Sequence, residues 1–343
     1  MKALVLEEYN KLVYKDMDKP AISPDEVLIE VKACGICGSD VHGMDGSSGR
    51  RHPPLIMGHE ASGIIVETGS QVTGYAAGDR VTFDSTIYCG RCFYCNQGLI
   101  NLCDNRRVLG VAPVEYRQHG AFAEYVAVPE HILYRLPDNL SFEQAAMVEP
   151  VSIAFHAITL TPISLNDTAV VIGAGMVGIF VIQALRAAGC GTIIAVDLEQ
   201  DKLDLAEKLG ADYGFLADQV DVPEEVRKLT DGHGANIAIE VVGNTAAVNT
   251  AVSSLRKGGT MTIVGNLAAT IDFPLQTIVT KQISATGSCS SCGEYPACLD
   301  MIARGTINVD ALISNVESLA DGAEWFKRLY AQEKGLMKVI LKP

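Results

Sequence analysis

The stretch from Thr168 to Asp197 limits the possible folds more than any other part of the chain. Ala169-Val170-Val171-Ile172 reads as a buried strand and runs directly into Gly173-Ala174-Gly175-Met176-Val177-Gly178. An apolar helix follows to about Ala188, and a second strand, Thr192 to Val196, closes on Asp197. In such a unit the first glycine permits a tight turn. The second admits a pyrophosphate to the backbone, and the third lets helix and strand pack closely. The phosphates then sit at the helix N-terminus, here Met176 and Val177, where free N–H groups face them. Residues 169–185 carry no charge and have the apolarity of a membrane span, but a span would not be followed at once by a strand ending in an acid.

The same rhythm continues downstream. Helices are expected at Gln200 to Leu209, Glu224 to Thr230 and Ala246 to Arg256, and strands near Tyr213 to Phe215, at Ile237 to Val242 and at Thr260 to Val264. Alternation of this kind predicts an α/β, doubly wound Rossmann sheet, parallel and covered on both faces. Its ligand lies beyond the carboxyl ends of the strands, which makes Val242, Gly243 and Gly265, with Asn266, cleft residues. Asp197 is placed to accept hydrogen bonds from both hydroxyls of an adenosine ribose and to repel a 2′-phosphate. With Glu199 and Asp201 nearby and no Arg directly after it, the expected cofactor is NAD rather than NADP.

A second constellation lies upstream in a β-rich region. The predicted strand Glu26 to Val31 leads through Ala33-Cys34-Gly35-Ile36 to Cys37, and the run Cys37-Gly-Ser39-Asp-Val-His42 is followed by Gly58-His59-Glu60. Cys37, His59 and Glu60 make a three-donor set for zinc, and a catalytic zinc keeps a further position open. Between them, Gly43 to Pro54 reads as a mobile loop carrying Arg50 and Arg51, either a solvated basic pair or a grip on a polar or phosphorylated substrate. Cys89, Cys92, Cys95 and Cys103 can close tetrahedrally around one ion and leave no open position, as structural zinc sites do. Phe142 to Ala157 is expected to be helical. Within it Glu149 is costly unless it is paired or near a cation, so it reads as a neighbour of the metal or as a helix-end residue.

Beyond Gly287 the alternation is expected to stop, with Leu336 to Leu341 forming a last strand that rejoins the first domain. Cys289 and Cys292 have redox-motif spacing but follow the dinucleotide fold, and read as pocket lining or packing. The predicted domains are 1–152 with 291–343, and 153–290. A net charge of −14 with no basic cluster excludes a nucleic-acid partner. Acids interrupt the apolar N-terminal run too early for a signal-peptide core, and ten cysteines then suggest metal binding in a reducing, cytoplasmic setting. The expected partner is a small-molecule substrate, with no membrane.

Together, Gly35-Ile-Cys37-Gly-Ser39-Asp-Val-His42, Gly58-His59-Glu60, the four cysteines, and Gly173 to Gly178 with Asp197 resemble the zinc-containing medium-chain dehydrogenase/reductase superfamily. The likeness is greatest to its sorbitol and polyol dehydrogenase branch. The resemblance implies a GroES-like catalytic domain joined to the Rossmann domain, and a homo-oligomer, dimer or tetramer. It implies that Cys37, His59 and Glu60 ligate a catalytic zinc, with Glu149 binding directly or through water. Ser39 then matches the hydroxyl that contacts the substrate oxygen, and His42 the far end of a proton relay. The implied reaction moves hydride from a secondary alcohol of a polyol to NAD and yields the ketose.

One departure leaves the substrate open. Where sorbitol dehydrogenases carry a Phe-Arg pair, this chain has Cys289 and Ser290, so Ser290, Arg50 and Arg51 are the candidate substrate residues. A phosphorylated polyol, a short diol, threonine, or a catalytically silent nucleotide-binding relative are the alternatives at this level.

Overall fold

The computed structural model describes residues 1–111 and 118–343 and divides into two compact units, Met1–Glu149 with Cys292–Pro343, and Pro150–Ser291. The first unit is built on the strand Glu26–Gly35, whose apolar run Val27-Leu28-Ile29 is buried. It pairs antiparallel with Glu60–Thr68, Tyr125–Pro129 and the C-terminal strand Lys338–Lys342. Gly35 aligns with Glu60 on one side and with Ile340 on the other. That single register draws the residues around Cys37, Glu60 and Lys338 to one end of the sheet. Leu4, Leu6, Ile29, Phe83 and Phe122 fill the core beneath it, each worth about 1.5–3 kcal/mol on burial.

The C-terminal part rejoins the first unit but is more than one last strand. Tyr295–Ala303 and Gly322–Tyr330 are helices, and Ile313–Ser318 is a strand parallel to Lys338–Lys342. Trp325 and Phe326 enter the first core while Glu324, Lys327 and Arg328 stay outside, an amphipathic pattern too short to stand out in the sequence. The helix expected at Phe142 to Ala157 is two helices, Phe142–Ala146 and Val148–Thr159. Pro150 is the cause: without an N–H, it is tolerated only in a first turn, so the helix restarts at Val148.

In the second unit six parallel strands follow the order Tyr213–Leu216, Thr192–Asp197, Thr168–Ile172, Ala235–Glu240, Leu255–Ile263, Ser284–Gly287. The chain winds outward in both directions from Thr168–Ile172, and the order therefore reverses between this strand and Ala235–Glu240. A ligand crevice forms at such a point. The helix Met176–Ala187 buries nearly its whole surface, from Gly178 to Leu185, which accounts for its uninterrupted apolar sequence. Among the described residues no helix is long and apolar enough to cross a membrane.

Candidate functional site

Cys37, at the end of the central strand's continuation, caps the helix Gly38–Met44, and its sulfur accepts from the Ser39 backbone N–H at 3.4 Å and from Ser39 Oγ at 3.2 Å. His59 and Glu60 lie where the next strand begins. Their donor atoms and the Cys37 sulfur all lie within 4.8 Å of one another. Glu60 Oε1 is buried and has no hydrogen-bond partner among the described residues. A thiol, an imidazole and an orphaned anionic oxygen at that spacing fit a zinc ion.

The layer behind these donors was not read from the sequence. Asp40, fully buried, places Oδ2 3.3 Å from His59 Nδ1 and accepts from Arg51 Nη2 at 2.8 Å on Oδ1. Burial works to raise the Asp40 carboxyl, but the charges of His59 and Arg51 hold it down at about 2. Neither of the two atoms at 3.3 Å, Asp40 Oδ2 and His59 Nδ1, has a hydrogen-bond partner among the described residues, so the approach is a charge contact, and a carboxylate beside a ligating histidine favours one orientation of the ring. Lys338, also buried, pairs with Glu60 Oε2 and donates to Ile36 O at 2.9 Å. The signal for both was faint: an Asp inside the Cys37 to His42 run, and a lysine in an otherwise apolar strand.

Arg51 requires a correction. It is neither solvated nor free to grip substrate, being 3% exposed with its guanidinium on Asp40 and on Ser39 Oγ, the latter at 3.2 Å. Gly43 makes this possible, because a Cβ there would overlap Arg51 Cγ. The predicted loop is also shorter, since Gly43 belongs to the helix Gly38–Met44. Arg50, Ser39 and His42 are exposed, and Ser39 and His42, three apart on one helix, share a face. Glu149 stands outside the 4.8 Å set. Desolvation pushes its carboxyl up to about 7, with Glu60 and Asp84 adding to the rise against His59 and Lys338.

The four sulfurs of Cys89, Cys92, Cys95 and Cys103 likewise lie within 4.8 Å of one another. The Arg91 backbone N–H and the Asn105 side chain lower Cys89 to about 6, while burial and the neighbouring thiols push Cys95 up to about 12. Four thiols this close cannot all ionise without a cation among them, and a closed tetrahedral zinc site supplies one. Cys292 donates to Gly98 O at 3.1 Å and so packs on this lobe.

In the second unit Gly173 has φ +100°, and a Cβ on Gly178 would overlap the Gly173 carbonyl oxygen. Gly175, the N-cap of Met176–Ala187, has open space where its Cβ would be. Turn, close packing and open approach are the three requirements of a dinucleotide cradle, so the residues fit that cofactor. Asp197 Oδ2 accepts from Ala174 N at 2.7 Å, and Oδ1 from Leu198 N at 2.8 Å, so the acid also braces the turn. Val242 and Gly243 donate to the buried Glu240 at 2.7 and 2.8 Å. Gly243 and Gly265 lie backbone to backbone, leaving no room for a side chain on either. Ser290, with φ +57°, lies in this second unit.

Residues 23–138 match the model of the alcohol dehydrogenase GroES-like domain and residues 176–304 that of the zinc-binding dehydrogenases. The chain is 35% identical to a sorbitol dehydrogenase of Bacillus subtilis, covering 100% of this chain and 97% of that protein. It is 34% identical to a D-arabitol-phosphate dehydrogenase of Enterococcus avium, covering 97% and 94%. A zinc-binding dehydrogenase of Sinorhizobium meliloti, solved bound to NADP, superposes with a TM-score of 0.92 at 32% identity, covering 100% and 99%.

Proposed function

The chain belongs to the zinc-containing medium-chain dehydrogenase family, on its polyol dehydrogenase branch, and from that premise we propose that it oxidises a secondary alcohol of a free polyol to the ketose with NAD as hydride acceptor. The observation that carries this reading is the mutual approach of Cys37, His59 and Glu60 within 4.8 Å, with Glu60 Oε1 orphaned among them. Zinc, when bound, supplies a Lewis acid that lowers the pKa of a hydroxyl toward neutrality, and NAD supplies the hydride acceptor.

The remaining chemistry belongs to the chain. Cys37, His59 and Glu60 hold the metal, and Cys89, Cys92, Cys95 and Cys103 hold a second, structural one. Asp40 and Arg51 keep the His59 ring facing it. Ser39 Oγ takes up the substrate's hydroxyl proton as it releases its own, and His42, exposed one helical turn further on, is the far end of that relay, toward solvent. Gly173, Gly175 and Gly178 admit the pyrophosphate at the N-terminus of Met176–Ala187, with Met176 and Val177 in its first turn and Val242, Gly243 and Gly265 lining the crevice. Asp197 selects the ribose bearing a free 2′-hydroxyl. Glu149 stands by the metal as an outer or exchangeable carboxylate, and Arg50 and Ser290 are the substrate candidates that remain.

Reduced-cofactor formation across free polyols, phosphorylated polyols, short diols and threonine tests the substrate class. The highest kcat/KM is expected for a free polyol with NAD; preference for a phosphorylated polyol would move the reading to the neighbouring activity. Cofactor binding without turnover on any of them would leave a silent relative. Asp197→Ala is expected to shift the NAD-to-NADP ratio of kcat/KM toward NADP by about tenfold or more, the loss of roughly one charge-assisted hydrogen bond; an unmoved ratio contradicts the ribose assignment. The four thiols of Cys89, Cys92, Cys95 and Cys103, gathered as a metal set, support a reducing, cytoplasmic setting. Exposed Leu267, Leu275 and Val279, which precede the edge strand Ser284–Gly287 in the chain, support a dimer or tetramer, which a monomeric mass in solution would contradict.

A further inference from the structure

Lys338 is 1% exposed and lies 278 residues from Glu60 in the chain, yet its ammonium is paired with Glu60 Oε2. Its second partner is the carbonyl of Ile36, the residue before Cys37, at 2.9 Å. Space is reserved for this pair: a Cβ on Gly35 would fall on Glu60 Oε2 and come within 3.4 Å of Lys338 Cδ. The two oxygens of Glu60 are thus unlike. Oε2 is held by a cation, and Oε1 is buried with no hydrogen-bond partner among the described residues.

We propose that Lys338 is a positioning residue that serves as the resident counter-cation of Glu60, leaving Oε1 as the one carboxylate oxygen offered to the metal. This rests on the reading of Glu60 as a zinc ligand. A buried ammonium is tolerated only when paired, and a buried carboxylate likewise. Ammonium and zinc therefore share one carboxylate and weaken each other's hold on it. The usual partner behind a metal ligand is a hydrogen-bond acceptor that strengthens binding, and its loss weakens metal affinity. A cation behind a carboxylate has the opposite sign. Lys338 keeps Glu60 a loosely held donor that can yield to a substrate oxygen, and its tie to Ile36 O fixes the segment bearing Cys37 at the same time.

The test is a zinc titration of the full-length protein against a chromophoric chelator, with Cys37→Ser identifying the step that belongs to this site. Lys338→Met and Lys338→Gln are expected to bind zinc at that step about tenfold or more tightly than wild type. Without that zinc their melting temperature should fall by about 5 °C or more, and the gap should close when it binds. Lys338→Arg, which keeps the charge, should restore wild-type affinity. The Gln variant carries the test if the Met variant does not fold. Unchanged or weaker affinity in both, or a melting gap that persists with zinc, overturns the counter-cation role. Absence of any Cys37-dependent step in wild type overturns the ligand reading itself and the proposal with it.

Discussion

Cys37→Ser is expected to lower kcat/KM by about a thousandfold or more while leaving the fold in place. The reasoning separates two roles of one side chain. Cys37 caps the helix Gly38–Met44, and serine is a better cap than cysteine, so the helix loses nothing. What disappears is a thiolate donor, and with it the charge that a bound zinc brings to the reacting hydroxyl, worth several kcal/mol or about three powers of ten. Zinc content should fall from two to one per chain, because the four-cysteine lobe keeps its own ion. Melting temperature and NAD binding should stay near wild type. Full turnover in this variant would remove the metal from the mechanism.

Asp40→Ala has the second largest expected effect, and it falls on stability as well as chemistry. The substitution leaves the Arg51 guanidinium buried with its anion gone, and breaking a buried pair from one side costs about 3–5 kcal/mol. A melting temperature lower by roughly 10 °C follows at about 2–4 °C per kcal/mol for a domain of this size. Asp40→Asn isolates the second consequence. It keeps an acceptor for Arg51 but weakens the hold on His59 Nδ1, and zinc affinity should drop about 10- to 100-fold. The direction is opposite to that expected at Lys338, so the two buried ion pairs beside the metal donors can be told apart by one titration. Wild-type stability in Asp40→Ala would mean that Arg51 finds another partner and that the network is not a unit.

How much of this was legible in the sequence follows from how local each piece of chemistry is. Cys89 to Cys103, Gly58-His59-Glu60 and Gly173 to Gly178 declare themselves because their spacing is short and each position has one physical job. Asp40 sits inside a recognisable run, yet its task depends on His59 and Arg51 arriving from elsewhere. Arg51 misled because two arginines on a Gly- and Ser-rich loop look solvated. Only the missing Cβ of Gly43, visible once the helix is in place, explains how one of them is buried. Lys338 left only a faint mark, a lysine in an otherwise apolar strand, since the pairing of Gly35 with both Glu60 and Ile340 is what delivers it. The broken helix at Met147 was readable, because Pro150 states it.

Isotope transfer tests the central claim most directly. A polyol carrying deuterium on the carbon of the reacting secondary hydroxyl, turned over by the zinc-loaded enzyme with NAD, should give reduced nicotinamide that carries the deuterium and a ketose that has lost it. Reduced nicotinamide without the label, or a label washed out to solvent, would contradict direct hydride transfer and with it the account of this site.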